Sequence, residues 1–220
     1  MTRDLPTPAT YLITKGATDE RTTPESAEFR AVLDLVARAA GAGVTLVQLR
    51  EKRLTPRVLC ELAAGAARLT RGTATRVLVN DRADVARASG CDGVHLTTRS
   101  LEASVVRRAF GPDLLVGVSA HGLEEARAAR AGGADFALFG PVFDTPSKRA
   151  YGPPLGLELL RDAARALAPF PLIALGGVTL ENARACLEAG ARGVAAIRLF
   201  ADAQDLAAVV RAVQNERRES

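Results

Sequence analysis

The chain has 220 residues and a formal charge of +4, with acidic and basic side chains interspersed, a length that suits one large α/β domain. Aromatic residues make up 4%, Trp is absent, and no basic block is interleaved with aromatics, which argues against nucleic acid as a partner. The cysteines Cys60, Cys91 and Cys186 lack paired spacing, as expected of inert thiols in a reducing cytosol, and no apolar run approaches the ~20 residues of a membrane span.

Met1 to Thr10 has no apolar h-region, so it is expected to be a flexible tail rather than a signal peptide. A first strand is predicted over Tyr11–Thr14. The second, Thr45–Arg50, runs into Gln48-Leu49-Arg50-Glu51-Lys52. Strand side chains repeat every second residue, which would point Gln48, Arg50 and Lys52 the same way. Arg supplies a forked donor set and Lys a mobile point charge, a pair suited to phosphate groups. Taken alone, the pentapeptide reads equally well as a solvated charge cluster at a strand exit.

Leu59, Leu62, Ala66 and Leu69 make a helical stripe. A third strand, Val77–Asn80, ends in Asn80-Asp81-Arg82. Asp81 could hold Mg²⁺ beside the Asn80 amide, or cap the helix that starts at Arg82. The fourth strand, Gly93–Leu96, carries His95 in an apolar stretch, where a satisfied interior histidine is expected. The fifth, Leu114–Ser119, leads to His121, which is either a general acid or base or a helix cap. The sixth, Phe136–Gly140, is followed by Phe143-Asp144-Thr145-Pro146-Ser147-Lys148, whose two hydroxyls and ammonium suit a phosphate group as well as a plain turn.

Tyr151 to Gly156 reads as a long loop on the same face, and Leu157, Leu160, Ala164 and Leu167 form the next helical stripe. The seventh strand, Leu172–Leu175, ends in Gly176-Gly177. Glycines there expose backbone N–H groups and can form a phosphate nest. The eighth, Gly193–Arg198, is followed by a helix through Leu206, Val209, Val210 and Val213, and residues 216–220 are expected to be a second flexible tail. A small residue and Gly recur before strands two, four, six and eight. Eight strands alternating with helices predict one closed (β/α)8 TIM barrel over 1–220, with the polar strand ends gathered on the C-terminal rim.

The motifs Gln48-Leu49-Arg50-Glu51-Lys52, Val79-Asn80-Asp81-Arg82, Gly93-Val94-His95-Leu96, Val118-Ser119-Ala120-His121, Gly140-Pro141-Val142-Phe143 through Lys148, and Ala174-Leu175-Gly176-Gly177-Val178 occur in one order. In that order and spacing the chain resembles the thiamine phosphate synthase/TenI superfamily over nearly its whole length. The resemblance implies a cytoplasmic transferase that joins hydroxymethylpyrimidine diphosphate to thiazole phosphate with Mg²⁺ as cofactor. It implies that Gln48, Arg50, Lys52, Asn80 and Lys148 hold the pyrimidine diphosphate, that Asp81 ligates the metal and that Ser119 touches the diphosphate. Thr145, Ser147 and Gly177 would serve the thiazole phosphate. Arg50, Lys52 and Lys148 would stabilise the leaving charge.

The chain departs from that pattern in three places. Ser100 of Thr97-Thr98-Arg99-Ser100 stands where the second metal-binding carboxylate belongs, Thr14-Lys15 replaces Thr-Asp, and Ile197-Arg198 replaces Ser-Ala. These changes leave two further readings open: a TenI-like thiazole tautomerase using His121, and a non-catalytic regulator that binds the pathway's phosphates. A sugar-phosphate isomerase or epimerase would need a strand-end carboxylate base, for which Asp81 is the candidate. Homo-oligomer formation is left open.

Overall fold

The computed structural model describes residues 5–145 and 153–215. The first half of the chain comprises β1 (Ala9–Ile13), α1 (Ala27–Gly41), β2 (Leu46–Leu49), α2 (Pro56–Thr70), β3 (Arg76–Asn80), α3 (Ala83–Ser89), β4 (Gly93–Leu96) and α4 (Ala103–Phe110). The second half comprises β5 (Leu115–Ala120), α5 (Leu123–Ala131), β6 (Phe136–Phe139), α6 (Gly156–Leu167), β7 (Leu172–Leu175), α7 (Leu180–Glu188), β8 (Gly193–Ala196), α8 (Arg198–Ala201) and α9 (Leu206–Asn215). The strands are parallel, pair in chain order, and close through β1 and β8 into one barrel.

Several strand ends shift by one or two residues from expectation, and three of the shifts bear on the site. β1 begins at Ala9, so Ala9 and Thr10 are buried strand residues and not tail. β2 stops at Leu49, which leaves Lys52 in an exposed turn beyond the reach of strand alternation. β8 stops at Ala196, and Arg198 opens the short helix α8 instead of ending the strand. In α2, Leu69 is 43% exposed and lies outside the buried stripe formed by Leu59, Leu62 and Ala66.

Because the strands are buried on both faces, alternation divides each one between two cores. Leu12, Val47, Leu49, Val77, Val79 and Val94 pack outward against the helices. Tyr11, Leu46, Leu78, Leu115, Phe136, Leu138 and Ile173 fill the barrel interior. Two residues beyond Leu46 and Leu78 on the same inner face come Gln48 and Asn80. The inner-face side chains of strand ends are therefore the top layer of the barrel filling.

The interior is filled unevenly. Tyr11 meets His95 and Phe136 edge to face, with ring centroids 5.9 Å apart in each case. These rings need space on the neighbouring strand. A Cβ at Gly117 would lie 2.4 Å from Phe136 Cζ, so the glycine makes room for the aromatic stack.

At the opposite, N-terminal rim, residues just before β2, β4 and β6 satisfy backbone donors of the preceding odd strand. Thr45 Oγ1 accepts from Thr10 N at 3.2 Å, Asp92 Oδ2 from Val77 N at 2.7 Å, and Asp135 Oδ2 from Val116 N at 2.7 Å. The glycine recurrence seen in the sequence falls in the turns before the even strands, where Gly43, Gly90, Gly133 and Gly190 all have positive φ. Among the described residues no helix is long and apolar enough to cross a membrane.

Candidate active site

The site starts from the inner-face residues of β2 and β3. Gln48 is 2% exposed, and its Nε2 donates to Asn80 Oδ1 at 2.9 Å. Asn80 Nδ2 in turn donates to Asp81 Oδ2 at 2.7 Å. The other oxygen of that carboxylate, Oδ1, accepts from Thr97 Oγ1 at 3.2 Å, from Thr97 N at 3.3 Å, and from the Ser100 hydroxyl. One hydrogen-bonded line therefore runs Gln48, Asn80, Asp81, Ser100 across the ends of three adjacent strands.

Asp81 is held there by its backbone. Its φ is 61°, and it is the one positive-φ non-glycine residue among those described. Asp tolerates this left-handed conformation better than most residues. Its N–H donates to His95 O at 2.9 Å, which fixes the turn against β4. The helix-cap alternative for Asp81 is not what forms: α3 begins at Ala83 after Arg82, and the Asp81 carboxylate faces the β4 loop. Nor does Ser100 cap α4, which follows Glu102. Ser100 Oγ instead accepts from Thr97 N at 2.7 Å and closes the turn between them.

The donors around Asp81 are hard oxygens with a single negative charge: one carboxylate and the hydroxyls of Ser100 and Thr97. Mg²⁺ commonly takes one or two carboxylates and completes its shell with waters and substrate phosphates, so this donor set fits it. A set of three or more His, Cys, Asp or Glu side chains that could hold a metal does not occur among the described residues.

Glu51 has a role that the strand pattern could not show. It is 3% exposed, and its Oε2 accepts from Thr18 Oγ1 at 2.7 Å and Thr18 N at 3.2 Å. Its Oε1 accepts from Gly16 N at 3.2 Å, while Arg50 N donates to Thr14 Oγ1 at 2.8 Å. The β1 loop is thus tied to the end of β2, beside a half-buried Arg50. The Arg50 guanidinium has no ion-pair partner among the described residues. Lys15, by contrast, pairs with Asp202 at the end of α8, so this departure from the family pattern arrives with its own counter-charge.

Gly176 and Gly177 have φ of 97° and 66°. A Cβ at Gly176 would lie 2.5 Å from Pro141 Cβ, and one at Gly177 would lie 2.7 Å from Phe143 Cβ. The β7 loop therefore packs directly on the β6 loop, which carries the 9% exposed Thr145. Asn182, in the first turn of α7, pins it further: Nδ2 donates to Gly177 O at 3.0 Å, and Oδ1 accepts from Thr179 N at 2.9 Å. Ser147 and Lys148 lie outside the described residues, as do Tyr151 and Gly152 of the loop expected on this face.

On β5, Ser119 Oγ is 3.0 Å from His95 Nε2. Burial pushes the His95 imidazole down from 6.5 to about 4, against a weaker upward pull from Asp81. The expectation of a fully satisfied interior histidine is half met, since Nδ1 is buried without a partner among the described residues. His121 stands at the entry to α5, where its N–H and its Nδ1 both approach Glu125 Oε2, at 2.7 and 3.1 Å.

A closed (β/α)8 barrel whose rim carries amides, hydroxyls, the exposed Asp81 carboxylate and the Arg50 guanidinium defines a barrel enzyme class built to take polar, charged small molecules. The family is shown by comparison. A family model described as thiamine monophosphate synthase matches residues 11–200, and the chain belongs to that family. A thiamine-phosphate synthase of Moorella thermoacetica is 43% identical over 182 residues, covering 83% of this chain and 86% of that one. One from Roseiflexus castenholzii is 38% identical over 213 residues, covering 97% and 91%. The solved structure of a thiamine phosphate pyrophosphorylase from Pyrococcus furiosus superimposes with a TM-score of 0.79 at 32% identity, covering 96% of each chain.

Proposed function

We propose that the chain is a thiamine-phosphate synthase, joining hydroxymethylpyrimidine diphosphate to thiazole phosphate and releasing diphosphate. The observation that carries this reading is the line Gln48, Asn80, Asp81, Ser100 on the rim of a barrel that belongs to the family. Gln48 spends one N–H on Asn80 and keeps an amide face for a planar heterocycle. Arg50, Lys52 and Lys148 supply positive charge to the diphosphate. Thr145, Ser147 and the backbone at Gly177 hold the thiazole phosphate.

The bond between the pyrimidine methylene carbon and the diphosphate oxygen breaks, and its electron pair leaves with diphosphate. The thiazole nitrogen then gives its lone pair to the methylene cation and forms the new C–N bond. Cations placed where charge develops accelerate the first step, because they bind the departing anion more strongly than the intact ester. Asp81, with the hydroxyls of Ser100 and Thr97 at the same carboxylate, would hold Mg²⁺, which would supply further charge neutralisation when bound. His121, bonded twice to Glu125, sets the entry of α5 and is assigned no proton transfer. Both substrates are multiply charged and do not cross membranes unaided, which supports a cytoplasmic location.

Mixing both substrates with enzyme and Mg²⁺ should give thiamine phosphate and diphosphate in equal amounts. Binding of both substrates without diphosphate release would instead identify a phosphate-binding regulator.

A further inference from the structure

His95 is a buried ionisable side chain next to the site to which the reaction above gives no role. It is 1% exposed, flanked by Tyr11 and Phe136 with ring centroids 5.9 and 6.3 Å away. Its two nitrogens meet opposite surroundings. Nε2 lies 3.0 Å from Ser119 Oγ. Nδ1 has no hydrogen-bond partner among the described residues and faces the bare backbone of Gly117, where an added Cβ would sit 2.9 Å away.

A neutral imidazole carries one ring hydrogen, so two arrangements exist. With the hydrogen on Nδ1, an N–H sits beside Gly117 with no hydrogen-bond acceptor among the described residues. Nε2 must then accept the only hydrogen that Ser119 has to give. With the hydrogen on Nε2, the imidazole donates to Ser119 Oγ and a single lone pair is left unpaired at Nδ1. Buried N–H groups without acceptors are the rarer defect in folded proteins. The second arrangement also frees the serine hydrogen for another acceptor.

We propose that His95 is a positioning residue, fixed as the Nε2–H tautomer, which donates to Ser119 Oγ and so aims the Ser119 hydroxyl hydrogen at an oxygen of the departing diphosphate. The inference rests on the synthase reading for the identity of that anion. A hydroxyl that already accepts a hydrogen bond is polarised into a better donor, which strengthens the contact as negative charge grows. Gly117 and Phe136 belong to the same device, since they pack on the Nδ1 side of the ring, where no acceptor is found among the described residues.

Nitrogen-15 NMR of the histidine rings in the intact protein reads the tautomer directly. The sequence has two histidines, His95 and His121, and the His95 signals are those missing from the His95→Gln variant. Nε2 should carry the hydrogen and Nδ1 should show the shift of an unprotonated nitrogen. The Nδ1–H tautomer, or rapid averaging of the two, would overturn the proposal. This readout needs no turnover, so its failure is distinct from failure of the synthase reading.

Steady-state kinetics give a second test. His95→Leu should lower kcat by about 10- to 100-fold, the scale of a lost hydrogen bond to a charged group, with KM for thiazole phosphate little changed. Ser119→Ala should do the same, and the double variant should be no slower than the slower single one. His95→Gln, whose amide N–H takes the place of Nε2–H, should recover most of the loss, and His95→Asn should not. Fully additive losses, or equal rescue by Asn and Gln, would overturn the proposal. If His95→Leu does not fold, the tautomer and the Gln–Asn comparison still decide it.

Discussion

Ser100 donates its hydroxyl hydrogen to Asp81 Oδ1, joining the loop after β4 to the turn after β3. The residue expected, by resemblance, in the place of a second carboxylate therefore stands against the Asp81 carboxylate. Neutral oxygen donates to charged oxygen where two acids would repel each other without a cation between them. Ser100→Asp should therefore tighten Mg²⁺ binding by about tenfold or more, since a second carboxylate adds charge to the same donor set. The variant should melt lower than the native protein without metal and recover when Mg²⁺ is added, because like charges disfavour the empty site. Calorimetric titration and thermal melts check both; unchanged Mg²⁺ affinity would show that Ser100 is remote from the metal.

Glu51 binds three donors of the β1 loop from a 3% exposed position. Glu51→Ala leaves those donors without their acceptor and should destabilise the fold by about 1–3 kcal/mol. Because Gly16 packs near the Arg50 carbonyl, loosening this loop should also raise KM for the pyrimidine diphosphate several-fold. Urea unfolding and substrate titration of the variant measure the two effects separately.

Gly177 combines a φ of 66° with a Cβ direction that points 2.7 Å from Phe143 Cβ and 2.8 Å from the Asp144 carbonyl oxygen. Gly177→Ala meets both backbone strain and a clash, which together should cost about 1–3 kcal/mol. KM for thiazole phosphate should rise as the β6 and β7 loops are pushed apart. A variant with native stability and native KM would show that the two loops yield freely.

The depressed imidazole of His95 makes stability depend on pH in a defined direction. An unfolded histidine binds a proton near 6.5, whereas the folded one does so only near 4. Between those values the unfolded state holds more protons, so stability falls as pH falls from 6.5 to 4 and then levels off. The contribution is on the order of 3 kcal/mol. Asp92, raised by burial, works in the opposite direction, so the difference between native protein and His95→Gln isolates the histidine. Parallel urea midpoints for the two proteins across that pH range would contradict the assignment.

Much of the site was legible because strand alternation is a strict period. Leu46 and Gln48, like Leu78 and Asn80, share the inner face, so burial of the apolar member fixes the direction of the polar one. Regular structure ends sooner than its period suggests. Alternation groups Lys52 with Gln48 and Arg50, but β2 stops at Leu49, and Arg198 begins α8 where a longer β8 is expected. Contacts between distant segments left no local trace. The clasp of Glu51 on Thr18 spans 33 residues, and no pattern within either segment encodes it. The packing of Tyr11, Gly117 and Phe136 around His95, whose Nδ1 has no partner among the described residues, likewise joins four strands. Asn182 offered only a helix-start signal, and its hold on Gly177 appears once the β7 loop is folded.

The synthase assignment is tested most directly by assaying diphosphate release from hydroxymethylpyrimidine diphosphate and thiazole phosphate with and without Mg²⁺, beside thiazole tautomer exchange without metal. Diphosphate should appear only when both substrates and Mg²⁺ are present, and Asp81→Asn should abolish it while the protein stays folded. Rapid tautomer exchange with no diphosphate release under any metal condition would contradict the account.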